Sequence, residues 1–266
     1  MSGSGNDFVM LDGRATTPGQ WPTSQVRAIC DRRNGVGADG LVILTPEARD
    51  LVRMTYWNSD GSIGALCGNA ALCSARLALD LEFVQPGEFG LITDAGTVRV
   101  RSLKEAKGVE IKLPDFDEPR SFTAIGLGTG EHWMSLGTVG VPHLVIRVDD
   151  TEAVDPVVRG RPLRFDPAVG PDGANVNFIS HPGGPEPWLI RTYERGVEGE
   201  TLACGTGTVA ASAAIVARGE ASLPIRFRSR GGQELSVRGS VSNGRVSGCW
   251  LAGGTQLVFK GVWEGT

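Results

Sequence analysis

Short apolar runs recur along the chain, each bounded by Gly, Pro or Asp: Gly40 to Thr45, Gly96 to Arg101, Val109 to Leu113, Leu144 to Val148, Trp188 to Tyr193, Ile225 to Arg228 and Gln256 to Phe259. Rich in Val, Ile, Leu and Thr, they read as strands. Helical signals are fewer. Thr23 or Ser24 can cap a helix from Gln25 to about Arg33, and two alanine-rich segments follow Cys67 and Cys204. The pattern predicts an α+β chain with few helices, and its 38 glycines supply many tight turns.

Length and charge narrow the class. The 266 residues suit one large domain or two ordinary ones. A hydrophobic fraction of 41%, a charged fraction of 21% and a net charge of −4 describe a globular chain without the basic excess that draws proteins to nucleic acid. No apolar run approaches the roughly 18 residues of a membrane helix, and the opening Met1-Ser2-Gly3-Ser4-Gly5-Asn6 has neither the basic nor the apolar segment of a signal peptide. A cytosolic chain with no membrane and no nucleic-acid partner is expected. Five cysteines, an odd number, then read as reduced thiols whose role is packing or reactivity.

Sliding the sequence along itself exposes a faint duplication at an offset of 137. Thr55-Tyr56 precedes Cys67 at the spacing at which Thr192-Tyr193 precedes Cys204, and each cysteine opens a Cys-Gly, short polar residue, apolar helix sequence. The same offset brings Asn6 onto His143, and Asp39 onto Val176 beside Asn175. A Cys-Gly at a helix start is as readily a small packing residue, since thiols are often buried. Two at equivalent places suggest more: domains related by a pseudo-twofold axis would aim both helix starts at one ligand.

Thiols so placed suit proton transfer. A cysteine at a helix start has its thiolate stabilised by unpaired backbone amides and the positive end of the macrodipole. One thiolate and one thiol on opposite faces of a carbon can remove a proton from one side and return another from the other. The amides of Gly68 and Asn69, and of Gly205 and Thr206, would hold a carboxylate and take up the charge that spreads onto it. Facing thiols could also form a reversible disulfide in a redox protein, and a non-catalytic amino-acid-binding protein would need the same polar groups.

Cofactor chemistry finds no support in the pattern. Cys67 and Cys73 lack zinc-ligand spacing, and the only histidines are His132, His143 and His181. None of Lys104, Lys107, Lys112 and Lys260 stands in a Schiff-base setting, and Gly35-Val36-Gly37-Ala38-Asp39-Gly40 precedes a strand where a dinucleotide fingerprint precedes a helix. A cofactor-free, metal-free enzyme is expected. Cys30, Cys73 and Cys249 read as packing residues; Asn6, Asn58 and Asn175 could be turn residues, Glu194 and Arg195 a solvated pair, and His143 a structural histidine.

Taken in order, the segments resemble the diaminopimelate epimerase family: Gly5-Asn6-Asp7-Phe8, Gly35 to Gly40, Asn58-Ser59-Asp60-Gly61 through Cys67-Gly68-Asn69, Pro142-His143, Asn175-Val176-Asn177-Phe178, and Glu194-Arg195-Gly196 through Cys204-Gly205-Thr206-Gly207. The resemblance implies two pseudo-twofold-related domains, each a barrel-like, mostly antiparallel sheet around a central helix. They would span 1–115, completed by about 253–266, and 116–252. It implies Cys67 and Cys204 as acid/base residues with His143 and Glu194 assisting. Asn6, Gly68, Asn69, Gly205 and Thr206 would hold the reacting end of an amino acid, and Asn58, Asn175 and Arg195 its distant end, with Glu194 also near the substrate. A homodimer interconverting LL- and meso-diaminopimelate, toward lysine and peptidoglycan, is expected. Val141 and Leu72 depart from the family pattern, which has Asn and Arg there, and Val141 leaves open a racemase of the same fold acting on another amino acid.

Overall fold

A computed structural model of the chain describes residues 1–103 and 108–264; Lys104, Lys107 and the last residues of the expected closing segment, Gly265 and Thr266, lie outside the described residues. The chain divides into two compact units, Met1–Lys112 with Ala252–Thr266, and Leu113–Leu251. Both are α+β, and antiparallel pairings predominate in each.

Each unit is organised by one helix that is apolar nearly all round. Helix α1 spans Thr23–Cys30, α2 Gly68–Asp80, α3 Pro156–Arg164 and α4 Gly205–Ala217. In α2 residues 69 to 75 are all buried, as are Gly207 to Ile215 in α4. A helix without a polar face must be covered on every side. Accordingly α2 touches the strands Ser2–Gly3, Asn6–Asp12, Gly40–Ala48, Leu51–Asn58, Val109–Lys112 and Thr255–Gln256, and α4 touches Glu131–Val139, Val141–Val148, Asn175–Ser180 and Glu234–Ser242. Burying large side chains such as Leu72 contributes roughly 1.5–3 kcal/mol each. The hydroxyls in α4 are satisfied within the helix: Thr208 Oγ1 donates to Cys204 O at 2.8 Å and Ser212 Oγ to Thr208 O at 3.0 Å.

The duplication reappears in strand register. In the first unit Asn6–Asp12 runs parallel to Gly40–Ala48, which returns as Leu51–Asn58, itself parallel to Glu88–Thr93. In the second, Val141–Val148 runs parallel to Asn175–Ser180, which pairs with Trp188–Glu194, itself parallel to Ile225–Ser229. Phe8 opposes Gly40 as Val145 opposes Asn177, and Leu51 opposes Gly90 as Trp188 opposes Phe227, every number higher by 137. Helices α2 and α4 are related by the same shift. The intervening hairpin breaks the rule, because a longer loop at 181–187 replaces the tight turn at 49–50, and Tyr193 opposes Val176 where Tyr56 opposes Val42.

Local chemistry moves several expected boundaries. Helix α1 starts at Thr23 with Pro22 at the N-cap, so neither Thr23 nor Ser24 caps it. It ends at Cys30, short of Arg33, because Asp31 Oδ1 accepts from the N–H groups of Arg33 and Asn34 and bends the chain into a turn. The strand expected from Leu144 begins at Val141, where Gly140 (φ 71°) closes a tight hairpin, and this puts His143 within the ladder. The strand expected over Gln256 to Phe259 is only Thr255–Gln256: its partner, Ser2–Gly3, is equally short, and Val258 and Phe259 are left exposed. Among the described residues no helix is long and apolar enough to cross a membrane.

Helix α3 braces the strand that carries Glu194. A Cβ added at Gly160 would lie 2.6 Å from Tyr193 Cβ, and Tyr193 is fully buried. Replacing Gly160 by Ala should therefore destabilise the protein by about 1–3 kcal/mol, outweighing the roughly 1 kcal/mol that Ala contributes as a helix former. Urea unfolding of the variant checks this, and an unchanged midpoint would show that α3 does not pack rigidly on the strand.

Candidate functional site

Cys67, Gly68 and Asn69 form the start of α2, beside Asn6, and Cys204, Gly205 and Thr206 the start of α4. Cys67 and Cys204 are the N-caps, with closely similar extended backbones (φ −128°, ψ 123° and φ −132°, ψ 109°). The first intrahelical bonds run from Ala71 N–H to Cys67 O and from Thr208 N–H to Cys204 O, both 2.9 Å. The amides of Gly68 and Asn69, and of Gly205 and Thr206, therefore precede the helical ladder and are available to an anion.

At α4 the sulfur is already engaged by this end. Gly207 N–H donates to Cys204 Sγ at 3.4 Å, and Thr206 Oγ1 lies 3.6 Å from it. The Gly207 amide is a fixed donor aimed at the sulfur. Gly207 has no room for a side chain: a Cβ there would fall 2.2 Å from Asn177 Oδ1. Asn177 thus presses against the helix start and connects it to the rest of the cluster. Its Oδ1 accepts from Thr192 Oγ1 at 3.0 Å, while its Nδ2 donates to His143 Nδ1 and to Leu144 O, both at 3.3 Å. With Nδ1 accepting, a neutral His143 carries its proton on Nε2.

His143 is fully buried and stays neutral. Burial pushes its pKa down to about 3 from 6.5, the positive charge of Arg195 adds to this, and the Val139 carbonyl opposes it. Directly beside it in the parallel ladder stands Asn175, whose Oδ1 accepts from Arg195 N–H at 2.7 Å. Glu194 is held by Thr201 Oγ1, which donates to Oε2 at 2.7 Å; burial raises the Glu194 pKa and this hydrogen bond pulls it part of the way back.

The α2 cluster is built of amides. Asn69 Nδ2 donates to Asn6 Oδ1 at 2.7 Å, and Asn6 Nδ2 donates to Asp39 Oδ2 at 2.9 Å. Asn58 opposes Gly40, next to Asp39; it accepts from Tyr56 Oη and donates to Ser62 Oγ, each at 2.9 Å. Sequence reasoning passed over Asn177, Thr201, Asp39 and Arg32 as site residues. For Asn177 a signal existed: in Asn175-Val176-Asn177 the two amides share a strand face, since side chains alternate.

The other thiols are set apart by burial, which pushes Cys30 up to about 11 and Cys73 and Cys249 up to about 12. They carry no thiolate near neutral pH. Leu72 is fully buried, so the side chain that departs from the family pattern is a core residue here.

Comparison with known proteins decides the family. The model for the family described as diaminopimelate epimerase matches residues 1–113 and 136–246. The chain belongs to the diaminopimelate epimerase family. Relatives bearing that name include the protein of Gemmatimonas aurantiaca, 45% identical over 79% of this chain and 76% of its own length. That of Chlorobaculum tepidum is 36% identical over 98% of this chain and 99% of its own. Among solved structures, a PhzF-family phenazine biosynthesis protein of Bacillus anthracis superposes with a TM-score of 0.70 at 15% identity, covering 95% of this chain and 91% of its own. A hydroxyproline epimerase of Agrobacterium vitis does so at 0.58 and 17%, covering 86% and 76%. These two share the fold of this diaminopimelate epimerase family member.

The buried imidazole makes stability depend on pH. Because the folded pKa of His143 lies below the unfolded value, its contribution is fully present above pH 6.5. As pH falls from there toward about 3 the unfolded chain takes the proton first, and the contribution is lost, at up to about 1.4 kcal/mol per pH unit. Denaturant unfolding across that window should show a steeper loss for the wild type than for His143→Asn; parallel profiles would contradict the buried neutral histidine.

Proposed function

We propose that this chain interconverts LL- and meso-diaminopimelate without a cofactor, with Cys67 and Cys204 as the paired base and acid. The N-cap cysteine on the buried helix of both units carries this reading, and family membership supports the substrate. One cysteine, as thiolate, takes the α-proton from one face of the carbon. The other, as thiol, delivers its own proton to the opposite face, so the configuration inverts and the two sulfurs exchange protonation states. Between the two transfers the charge spreads onto the α-carboxylate, where the amides of Gly68, Asn69, Gly205 and Thr206 stabilise it in a water-poor setting.

The remaining polar residues divide by charge. His143 is neutral and so adds no cation to the site, while Glu194 is a buried carboxyl whose pKa is raised by its burial. Asn6 would contact the reacting end; Asn58, Asn175 and the guanidinium of Arg195 would grip the distant end. The chain is read as two epimerase domains, 1–115 with about 253–266, and 116–252, whose bounds lie within a few residues of the two compact units. Family membership favours a cytosolic homodimer with a small-molecule amino-acid substrate.

Incubation with single diaminopimelate stereoisomers in deuterated water tests the proposal. Deuterium should enter at the α-carbon as the configuration changes, and Cys67→Ala or Cys204→Ala should each lower turnover by about 100- to 10,000-fold. Absence of exchange, or full turnover in either variant, overturns it. Exchange confined to another amino acid would keep the two-thiol centre and change the substrate.

A further inference from the structure

The amide chain at the start of α2 is anchored in a charged pair, and this gives it a direction. Arg32 donates through Nη1 and Nη2 to the two carboxylate oxygens of Asp7, at 2.9 and 2.7 Å, and through Nη2 to Asp39 Oδ1 at 2.7 Å. Asp39 Oδ2 accepts from Asn6 Nδ2 and, at 3.3 Å, from Asp7 N–H. Asn69, the second residue of α2, is only 4% exposed, and among the described residues its Oδ1 has no hydrogen-bond partner.

Donors and acceptors are not interchangeable along this chain. An arginine only donates and an ionised carboxylate only accepts, whereas an Asn amide can face either way. Asp39 therefore obliges Asn6 to turn its Nδ2 inward, which points Asn6 Oδ1 at Asn69. Asn69 must meet that oxygen with its Nδ2, and its own Oδ1 is left over. Leaving a buried acceptor without a donor is unfavourable, so the arrangement is sustained at the expense of stability and calls for a donor to complete it.

We propose that Asp39 is a positioning residue whose carboxylate fixes the polarity of Asn6 and Asn69, leaving Asn69 Oδ1 as an acceptor for the ammonium group of an amino-acid substrate. Resting on the amino-acid reading above, this gives the α2 cluster a division of labour: amides for the carboxylate, one oriented carbonyl for the ammonium. Arg32 supplies the direction a second time, because it would hold the oxygen of any amide placed at position 39.

The isosteric variant Asp39→Asn reverses the chain. Arg32, the shorter and charged contact, keeps the new amide oxygen, so an NH2 replaces the oxygen that accepted from Asn6 Nδ2 and Asp7 N–H; the 3.3 Å Asp7 contact is given up, Asn6 and then Asn69 turn over, and Asn69 presents a donor where it presented an acceptor. The pair between Arg32 and Asp7 remains to hold the fold. Calorimetric titration with meso-diaminopimelate and with pimelate, the same dicarboxylate without ammonium groups, reads the outcome. The variant should bind diaminopimelate roughly 10- to 100-fold more weakly and pimelate within about twofold of wild type; equal losses for both, or none, overturn the proposal. Arg32→Gln, which keeps the Asp39 carboxylate, should preserve the wild-type ratio of the two affinities, and a ratio as low as that of Asp39→Asn would count against it. In the ligand-free protein the Asn69 side-chain NH2 should exchange with solvent faster in Asp39→Asn than in wild type, and unchanged exchange also overturns it. If the wild type binds neither compound, the amino-acid reading fails, and the relay stands or falls on the amide exchange alone.

Discussion

Much of this protein turns on two helices that bury almost every side chain. With α2 and α4 apolar nearly all round, their backbones are enclosed by strands, and their starts are where polar groups can meet them. The first-turn amides, unsatisfied within the helix, then become fixed donors at each helix start, and the residue at the N-cap lies in their field. A cysteine at that position meets donors that a thiol nearly two turns further on does not. Cys73, on α2 itself, is driven by burial toward an inert thiol at about 12, in the helix whose cap is Cys67.

Around each cap the protein arranges groups whose hydrogen-bonding direction is settled by their neighbours. In the second unit Thr192 and the Leu144 carbonyl fix the Asn177 amide, and this in turn fixes the His143 tautomer. In the first unit Asp39 and Arg32 do the corresponding work for Asn6 and Asn69. The two clusters occupy equivalent places yet differ in composition, as His143 stands where the 137-residue offset puts Asn6. Duplication kept the helix start and its cap, and the surrounding side chains diverged. Burial supplies the rigidity in both cases, because a polar group without water must find its partner inside the protein or keep its bonding capacity for a ligand.

Strand boundaries illustrate the division between local and nonlocal causes. The end of α1 could have been read from Asp31, whose side chain competes for backbone amides of its immediate neighbours. The exposure of Val258 and Phe259 could not, because a short apolar run predicts a strand there and only the shortness of Ser2–Gly3 denies it a partner. The offset register of Phe8 with Gly40 and Val145 with Asn177 lies between these cases: the repeat was visible in Thr-Tyr and Cys-Gly, but the pairing of parallel strands was not.

By itself the sequence determined the α+β class, the repeat and the two cysteine-capped helices, because these follow from local spacing and from residue types whose chemistry travels with them. Tertiary structure decided which oxygen faces which nitrogen. Asn177 became part of the site because Gly207 lets it approach the helix start, His143 lost its charge because it is enclosed, and Asn69 kept an unspent carbonyl because a carboxylate two amides away can only accept. Burial and hydrogen-bond direction depend on neighbours distant in the chain, so a single strand or helix read on its own carries no record of them.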